Sequence, residues 1–231
     1  MEAVLELINQ PELDDVWDED ETIGWIYQYF TPDESRRQAR KESSAPRDSY
    51  ELAFLNQFYT PRYIVEFLVE NTLGRLWYDM MQGDTVFTES CLCLAYNDGE
   101  WEDIPKKDPR EIRIMDPACG SGHFLLYCFD LMLQIYEEAY TDPKLGPALA
   151  RDYPTLDSLR AAAPALILEK NLYGIDIDPR ATQIAALALW LRAQRAFTEA
   201  EIPAATRAPI TKANIVCAEP MPGEKDMLEE F

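Results

Sequence analysis

The stretch IMDPACGSGHFLL, from Ile114 to Leu126, decides the fold of this chain. It runs from a short apolar segment through Asp and Pro into a turn bracketed by two glycines, and then into an apolar segment. Glycine lets the backbone turn sharply and approach a ligand closely, and the first turn of a helix offers free N–H groups. The stretch therefore predicts a strand–turn–helix unit that holds a small molecule beyond the carboxyl end of the strand.

Further strands and helices alternate after this unit. The sequence predicts strands at Glu111–Asp116, Asn171–Asp178 and Ala213–Glu219, helices at Gly122–Tyr140 and Pro179–Phe197, and a helical insertion over Thr141–Pro164. Strands that alternate with helices in this way indicate a parallel sheet with helices packed on it. We therefore expect an α/β fold with an incomplete parallel sheet and helices on both faces.

The part of the chain before this α/β region has a different character. It contains an acidic run, Glu12–Glu21, and an aromatic cluster, Gly24–Phe30, which we expect to pack onto another part of the protein. Thr60 suits an N-cap and Pro61 the first position of a helix. We predict a helical, acidic N-terminal extension over residues 1–56 and a ligand-binding domain over residues 57–231.

The composition limits the classes of function. The chain has 42 acidic and 21 basic residues, a formal net charge of −21, whereas a surface that binds nucleic-acid phosphates is usually basic. No apolar run approaches the roughly 20 residues of a membrane span, and the first residues lack the profile of a signal peptide. The five cysteines form no CxxC pair and the chain has one histidine, which favours reduced thiols in a cytoplasmic protein over a zinc site.

Three acidic residues, Asp116, Asp176 and Glu219, end the three predicted strands, where ligands of parallel sheets bind. A dinucleotide fingerprint GxGxxG is absent because Leu125 stands where the third glycine belongs, and no GK[ST] phosphate loop occurs. Carboxylates would repel a pyrophosphate, but they suit a ligand that carries an amine, a ribose diol and an exocyclic amino group. S-adenosyl-L-methionine has all three and a sulfonium charge. The alternative, that the acids only cap helices, fits Asp178 but not all three strand ends.

Several motifs resemble those of the amino-group DNA methyltransferases. DPACGSGHF resembles their first motif, QFYTP the cofactor motif that precedes it, YGIDIDP the second motif and IVCAEP a variant of the third. This order is that of the gamma-type adenine methyltransferases, which include type I modification subunits and fused type IIG enzymes. The sequence from Asp14 to Glu224 is similar to the PglX-like methyltransferases of BREX phage-defence systems. The resemblance implies a Rossmann-like S-adenosylmethionine-dependent fold and site-specific adenine methylation in phage defence or restriction-modification.

The resemblance also implies a role for individual residues toward S-adenosyl-L-methionine. Tyr59, Thr60 and Pro61 would lie against its methionine end, and Asp116 would bind its amino group. The turn Ala118-Cys119-Gly120-Ser121-Gly122 would surround it. Within this turn, we expect Cys119 to be a small packing residue, because direct methyl transfer to an amine needs no covalent intermediate.

The other half of the cofactor would be held by the later strands, again by resemblance. Asp176 would bind the ribose hydroxyls, Ile177 would pack on the adenine ring, and Glu219 would accept a hydrogen bond from the adenine amino group. His123 is expected only to open the helix that follows the turn.

One departure from the family matters more than these matches. The catalytic motif [NDS]PP[YF] is missing, since the chain contains no PP dipeptide. In the family, this motif accepts hydrogen bonds from the target amino group and stacks on an adenine flipped out of the duplex. We expect the chain to be a fragment that carries the cofactor half of the site, methylates no DNA alone, and belongs to a longer reading frame with the motif and a more basic recognition region.

Two other classes of function stay open at this point. One is a methyltransferase for a small molecule or a protein, and the other is a non-catalytic interaction module with a degenerate methyltransferase fold. If the chain is instead part of a DNA adenine methyltransferase, the expected partners are double-stranded DNA, through regions missing from this chain, and other phage-defence subunits. We also expect self-association through an exposed sheet edge, because an unpaired strand invites pairing with another chain, and no membrane partner.

Overall fold

The computed structural model describes residues 2–17, 19–30, 32–47, 49–96 and 104–218. Glu219 lies outside these residues. The helices are α1 (Glu2–Ile8), α2 (Asp14–Trp17), α3 (Thr22–Gln28), α4 (Asp33–Glu42), α5 (Ser49–Asn56), α6 (Arg62–Val69), α7 (Arg75–Met80), α8 (Phe87–Ser90), α9 (His123–Thr141), α10 (Gly146–Asp152), α11 (Leu156–Leu166) and α12 (Pro179–Glu199). The strands are β1 (Ile114–Asp116), β2 (Leu172–Asp176) and β3 (Asn214–Cys217). Short π-helical segments, Glu70–Gly74 and Ile167–Asn171, follow α6 and α11.

The described strands form one parallel sheet in the order β1-β2-β3. Asp116 at the end of β1 is opposite Gly174 of β2, and Asp176 at the end of β2 is opposite Cys217 of β3. Parallel neighbours need a crossover, and α9 and α12 supply the two crossovers of this sheet. The predicted α/β class with a parallel sheet is confirmed, and so is the helical insertion, which forms α10 and α11.

The core lies around α9, whose apolar side chains are buried along its whole length. Phe129, Met132 and Ile135 are fully buried, and they belong to one apolar cluster with Trp77 of α7 and Phe87 of α8. Complete burial of such side chains stabilises a fold by roughly 1.5–3 kcal/mol each. Because α9 follows the glycine turn directly, its burial also fixes the position of that turn.

A buried asparagine ties the start of the sheet together. Asn171 donates through Nδ2 to the carbonyl oxygens of Pro109 (2.7 Å) and Ile112 (2.8 Å), which lie just before β1. Its Oδ1 accepts a hydrogen bond of 3.0 Å from the hydroxyl of Tyr136 in α9. A buried polar side chain is tolerated when its hydrogen bonds are made, and here those bonds connect β2 to β1 and to α9.

The start of α6 differs from the prediction by one residue. Thr60 is not the N-cap, because Pro61 is still extended (φ −57°, ψ 145°) and takes the cap position, so that the helix begins at Arg62. The carbonyl of Pro61 accepts the first helical hydrogen bonds, from the N–H groups of Ile64 and Val65. The first N–H groups of a helix have no acceptor inside the helix. The missing N–H of Pro61 therefore breaks no helical hydrogen bond.

The N-terminal part is helical, as predicted, and its charged residues contact the later chain. Asp20, which precedes α3, pairs with Arg192 and Arg195 of α12 at 3.4 Å each. The division of the chain at residue 56 stays a prediction. Within the described ranges, every helix is too short or too polar to span a bilayer.

One face of the described sheet is open to solvent, so the prediction of helices on both faces is not met by the described residues. Contacts between α9 and α12, together with the right-handed crossover that parallel strands adopt, place both helices on the same face. On the opposite face, Met115 is 60% exposed and Val216 57% exposed. Among the described strands, β1 and β3 each pair only with β2, which leaves an unpaired edge on either side.

We expect the isolated chain to self-associate in a concentration-dependent way, because open edges and an apolar sheet face favour pairing with a second copy. Sedimentation velocity over a range of concentrations measures this. The substitution Met115→Lys should reduce the association, since an exposed lysine on an edge strand opposes pairing. A native chain that sediments as a monomer at every concentration would contradict the expectation.

Candidate functional site

A cavity of about 400 Å³ lies at the carboxyl ends of β1 and β2. Its volume falls within the range of small-molecule sites, roughly 300–1,000 Å³. The residues that line it come from α5, the segment before α6, the glycine turn, the end of β2 and the start of α12: Leu52, Ala53, Gln57, Phe58, Tyr59, Ala118, Gly120, Asp176, Ile177, Asp178 and Ala181. The structure therefore brings the TP, first and second motifs to one place.

The glycine turn has the geometry that the sequence predicts. Gly120 and Gly122 have positive φ angles of +52° and +92°, a conformation in which other residues are strained. A Cβ atom on Gly120 would lie 2.9 Å from Cε1 of Tyr59, and one on Gly122 would lie 3.2 Å from Cβ of Ala185 in α12. Both positions therefore favour glycine for the backbone angle, and a side chain at Gly120 would also collide with the ring of Tyr59.

Asp176 closes the turn from the neighbouring strand. Its Oδ2 accepts a hydrogen bond of 2.8 Å from the N–H of Gly120, and its Oδ1 accepts one of 2.9 Å from the N–H of Asp178. In a phosphate-binding loop, an N–H group at this position would bind a phosphate. Here the N–H of Gly120 is bonded to a carboxylate instead. This arrangement opposes an anionic ligand and favours one with hydroxyl donors or a positive charge.

Among the described acids at these turns, the helix-cap alternative holds only for Asp178. Asp178 caps α12, because its Oδ1 accepts the N–H of Arg180 at 2.9 Å. Asp116 instead accepts the N–H of Ala118 at 3.1 Å within the turn, and Asp176 braces the turn from β2. Two of the three predicted strand-end carboxylates therefore do not cap helices, and the third, Glu219, lies outside the described residues.

Burial controls the titration of the groups around the turn. Desolvation, reinforced by the negative charge of Asp176, raises the pKa of Asp116 above its ordinary value of 3.8. Burial also raises the pKa of the Cys119 thiol to about 12, so that the sulfur is protonated at neutral pH. A protonated, buried thiol is a poor nucleophile, which agrees with a packing role for Cys119.

The predicted site residues, apart from Glu219, fall into two groups. Tyr59, Ala118, Gly120, Asp176 and Ile177 line the cavity. Six others lie within two positions of these residues in the chain but outside the lining: Thr60, Pro61, Asp116, Cys119, Ser121 and Gly122. The lining also contains Gln57, Phe58 and Asp178, which sequence reasoning did not assign to the ligand, although Gln57 and Phe58 belong to the QFYTP motif.

The ring of His123 is buried between two other aromatic side chains. Its centroid lies 5.0 Å from that of Trp25 in α3 and 5.1 Å from that of Tyr59. Burial lowers the pKa of His123, which keeps the ring neutral at physiological pH. His123 is also the first residue of α9, so the prediction that it opens this helix is confirmed.

A second cavity, of about 450 Å³, lies between α9, α11 and α12. Its lining includes Leu133, Tyr136, Arg160, Ala196 and Glu199. None of the sequence-predicted site residues lines it, and it is remote from the carboxyl ends of the strands, where parallel sheets bind ligands. The smaller cavity is therefore the better candidate for the functional site.

The fold and site belong to a known class of protein. Residues 105–221, just over half of the chain, match the family model of the MmeI DNA-methyltransferase domain. This range contains the glycine turn, all three described strands, and helices α9 to α12. The chain belongs to this family of DNA-methyltransferase domains.

Curated relatives agree with the family match. The chain is 33% identical over 193 residues to the adenine-specific methyltransferase PglX of Lacticaseibacillus casei (strain Zhang), which covers 76% of this chain and 14% of that protein. It is 30% identical over 197 residues to the adenine-specific methyltransferase BrxX of Escherichia coli O9:H4 (strain HS), with 80% and 14% coverage. A putative type II restriction enzyme and methyltransferase of Methanocaldococcus jannaschii is 30% identical over 156 residues, with 59% and 12% coverage.

These relatives confirm the resemblance to adenine-specific methyltransferases of the PglX type, and the fold class that the resemblance implies. The chain spans only 14% of the length of the PglX and BrxX proteins. Their remaining length contains parts that these 231 residues do not represent.

Replacement of Asp116 by Asn should stabilise the ligand-free chain at neutral pH. Because the pKa of Asp116 is raised in the folded state, the folded chain binds this proton more readily than the unfolded chain. The native chain therefore loses stability as the pH rises from 3.8 through the raised folded pKa, whereas the neutral amide does not.

Denaturant titrations at about pH 7 and about pH 3.5 measure this difference. Asp116→Asn should unfold at a higher denaturant concentration than the native chain at the higher pH, with the difference shrinking at the lower pH. Equal stability of the two chains at both pH values would show that the charge of Asp116 is not disfavoured in the folded state.

Proposed function

We propose that the chain is the S-adenosyl-L-methionine-binding part of a site-specific DNA adenine methyltransferase that acts in phage defence or restriction-modification. The observation that carries the proposal is the cavity at the carboxyl ends of β1 and β2, which Asp176, Tyr59 and the glycine turn enclose. Membership in the DNA-methyltransferase family supports the reaction class. On this proposal, residues 57–231 are part of the cofactor-binding domain.

The residues around the cavity fit this cofactor. Each oxygen of Asp176 accepts one backbone N–H, and a carboxylate oxygen has a second lone pair, so Asp176 can still accept from a ribose diol. Ile177 offers an apolar surface in the cavity for the adenine ring. Asp116, partly buried beside the turn, provides a negative group for an ammonium. The cofactor supplies an electrophilic methyl group, and the protein side chains bind and orient it.

The remaining parts of the reaction are assigned to the parent protein. No [NDS]PP[YF] motif occurs in these 231 residues, so the groups that would hold the target amine are proposed to lie in the additional length that the relatives have. The same holds for the DNA-binding surface, because a net charge of −21 opposes phosphate binding. Double-stranded DNA, other phage-defence subunits and a cytoplasmic location belong to this proposal.

The chain should bind S-adenosyl-L-methionine or S-adenosylhomocysteine in isothermal calorimetry. Asp176→Ala should weaken this binding by about 1–3 kcal/mol, because the variant loses the ribose acceptor and leaves the Gly120 N–H without its partner. Asp157→Ala is the matched control, since the side chain of Asp157 is 83% exposed at the start of α11. Binding that is unchanged in Asp176→Ala would remove Asp176 from the site, and no binding by the native chain would favour a non-catalytic interaction module.

The isolated chain should transfer no methyl group to DNA, whereas the full-length gene product should methylate adenine. Liquid chromatography and mass spectrometry of nucleosides from treated DNA measure N6-methyladenine in both cases. Translation of the parent gene should show [NDS]PP[YF] after a further strand. A parent protein that binds the cofactor but lacks this motif, and leaves adenine unmethylated, would point to a small molecule or a protein as the substrate.

A further inference from the structure

Helix α3 of the N-terminal part contacts the glycine turn directly. A Cβ atom added to Gly24 would lie 2.3 Å from Oγ of Ser121 and 2.7 Å from Nε2 of His123. This spacing shows that the backbone of α3 rests on the turn, and that only glycine fits at the contact. Next to it, the ring of Trp25 packs on that of His123.

The end of α3 also holds the segment of the TP motif. The side chain of Gln28 accepts, through Oε1, a hydrogen bond of 2.8 Å from the backbone N–H of Tyr59. Tyr59 lines the cavity, and its ring covers Gly120. Gln28 therefore fixes the backbone of the residue that closes one side of the site.

A third contact reaches the opposite side of the cavity. The hydroxyl of Tyr27 donates a hydrogen bond of 2.7 Å to Oδ2 of Asp178. The other carboxyl oxygen of Asp178 caps α12, and its backbone N–H donates to Asp176. Tyr27 is thus connected, through a single residue, to the carboxylate that closes the turn.

Charge and ring contacts keep α3 in this position. Two ion pairs of Asp20 with α12 lie at its start, and at its end the Arg180 guanidinium lies 5.5 Å from the ring centroid of Phe30. Burial and the bond to Asp178 raise the pKa of Tyr27, so its hydroxyl stays protonated and donates at neutral pH.

We propose that α3 supports the cofactor site from behind the residues that line it, and that Tyr27 is a positioning residue that acts through Asp178 to hold Asp176 in place. The inference rests on the proposed cofactor function, but it assigns to the N-terminal part a role that the family motifs do not include. The contacts of Gly24, Gln28 and Tyr27 converge on three of the segments that enclose the cavity: the glycine turn, the TP segment and the start of α12. A helix that only covered the core would not have to contact each of them.

The test compares variants that remove one hydroxyl or one acceptor from the 231-residue chain. Tyr27→Phe removes the donor, and Tyr29→Phe is the matched control, because Tyr29 is 76% exposed two residues further along. Asp178→Ser removes the acceptor but keeps a residue that caps helices well. Calorimetry with S-adenosylhomocysteine measures affinity, and NMR hydrogen exchange of the Gly120 and Asp178 amides measures the order of the turn without ligand.

Tyr27→Phe should weaken binding roughly tenfold, because the ligand must then order Asp178 without the help of one hydrogen bond to a charged group, and it should speed exchange of the Asp178 amide. Tyr29→Phe should change neither quantity. Asp178→Ser should weaken binding as well, and adding Tyr27→Phe to it should have no further effect. The melting temperature alone does not distinguish the two roles, because a purely structural tyrosine would also lower it.

Two results would overturn the inference. One is a Tyr27→Phe chain whose affinity and exchange both match the native chain. The other is a full additional loss of affinity from Tyr27→Phe in the Asp178→Ser background, because Tyr27 would then act by another route. A native chain without any affinity for the ligand would refute the proposed function, and the exchange of the Asp178 amide in Tyr27→Phe would still decide whether Tyr27 holds the turn.

Discussion

The hydrogen bonds from the Gly120 and Asp178 amides to the carboxylate of Asp176 are the interaction on which the site depends. They join the turn after β1 to the turn after β2, so that the ends of two parallel strands become one rigid rim. The first turn is fixed by the buried helix α9, which begins directly after it. The second turn is fixed by Asp178, which caps α12. The cavity lies above this rim, at the carboxyl ends of β1 and β2, where parallel sheets bind their ligands.

This arrangement explains the charge of the site. The N–H of Gly120 is already bonded to the carboxylate of Asp176, so it is not free to bind a phosphate. The partly buried Asp116 adds negative charge beside the turn. The raised pKa of Asp116 means that folding places a carboxylate where its charge is disfavoured. Functional sites often carry such strain, and a cationic ligand would relieve it.

The N-terminal part is joined to this rim and is not independent of it. Helix α3 contacts the turn, the TP segment and the start of α12 through Gly24, Gln28 and Tyr27. The acidic residue Asp20 is paired with arginines of α12. Asp20 therefore has a structural role in joining the N-terminal part to α12, although these ion pairs leave the net charge of −21 unchanged.

The sequence by itself determined the parallel α/β class, the glycine turn, the long helices α9 and α12, and the membership in the methyltransferase family. These features depend on local patterns: apolar periodicity, glycine where φ is positive, and a proline and an aspartate at a helix start. Only the tertiary structure decided which predicted residues line the cavity. Thr60 and Ser121 are adjacent in sequence to lining residues and still lie outside the lining.

The tertiary structure also decided the role of the aromatic cluster Gly24–Phe30, which the sequence marked only as a packing segment. Its contacts to Ser121, Tyr59 and Asp178 span 31 to 151 positions along the chain. No local pattern encodes a contact over such a separation, because it depends on how α3 and α12 pack after both have formed. Local chemistry therefore specified the pieces of this site, and long-range packing determined how they meet.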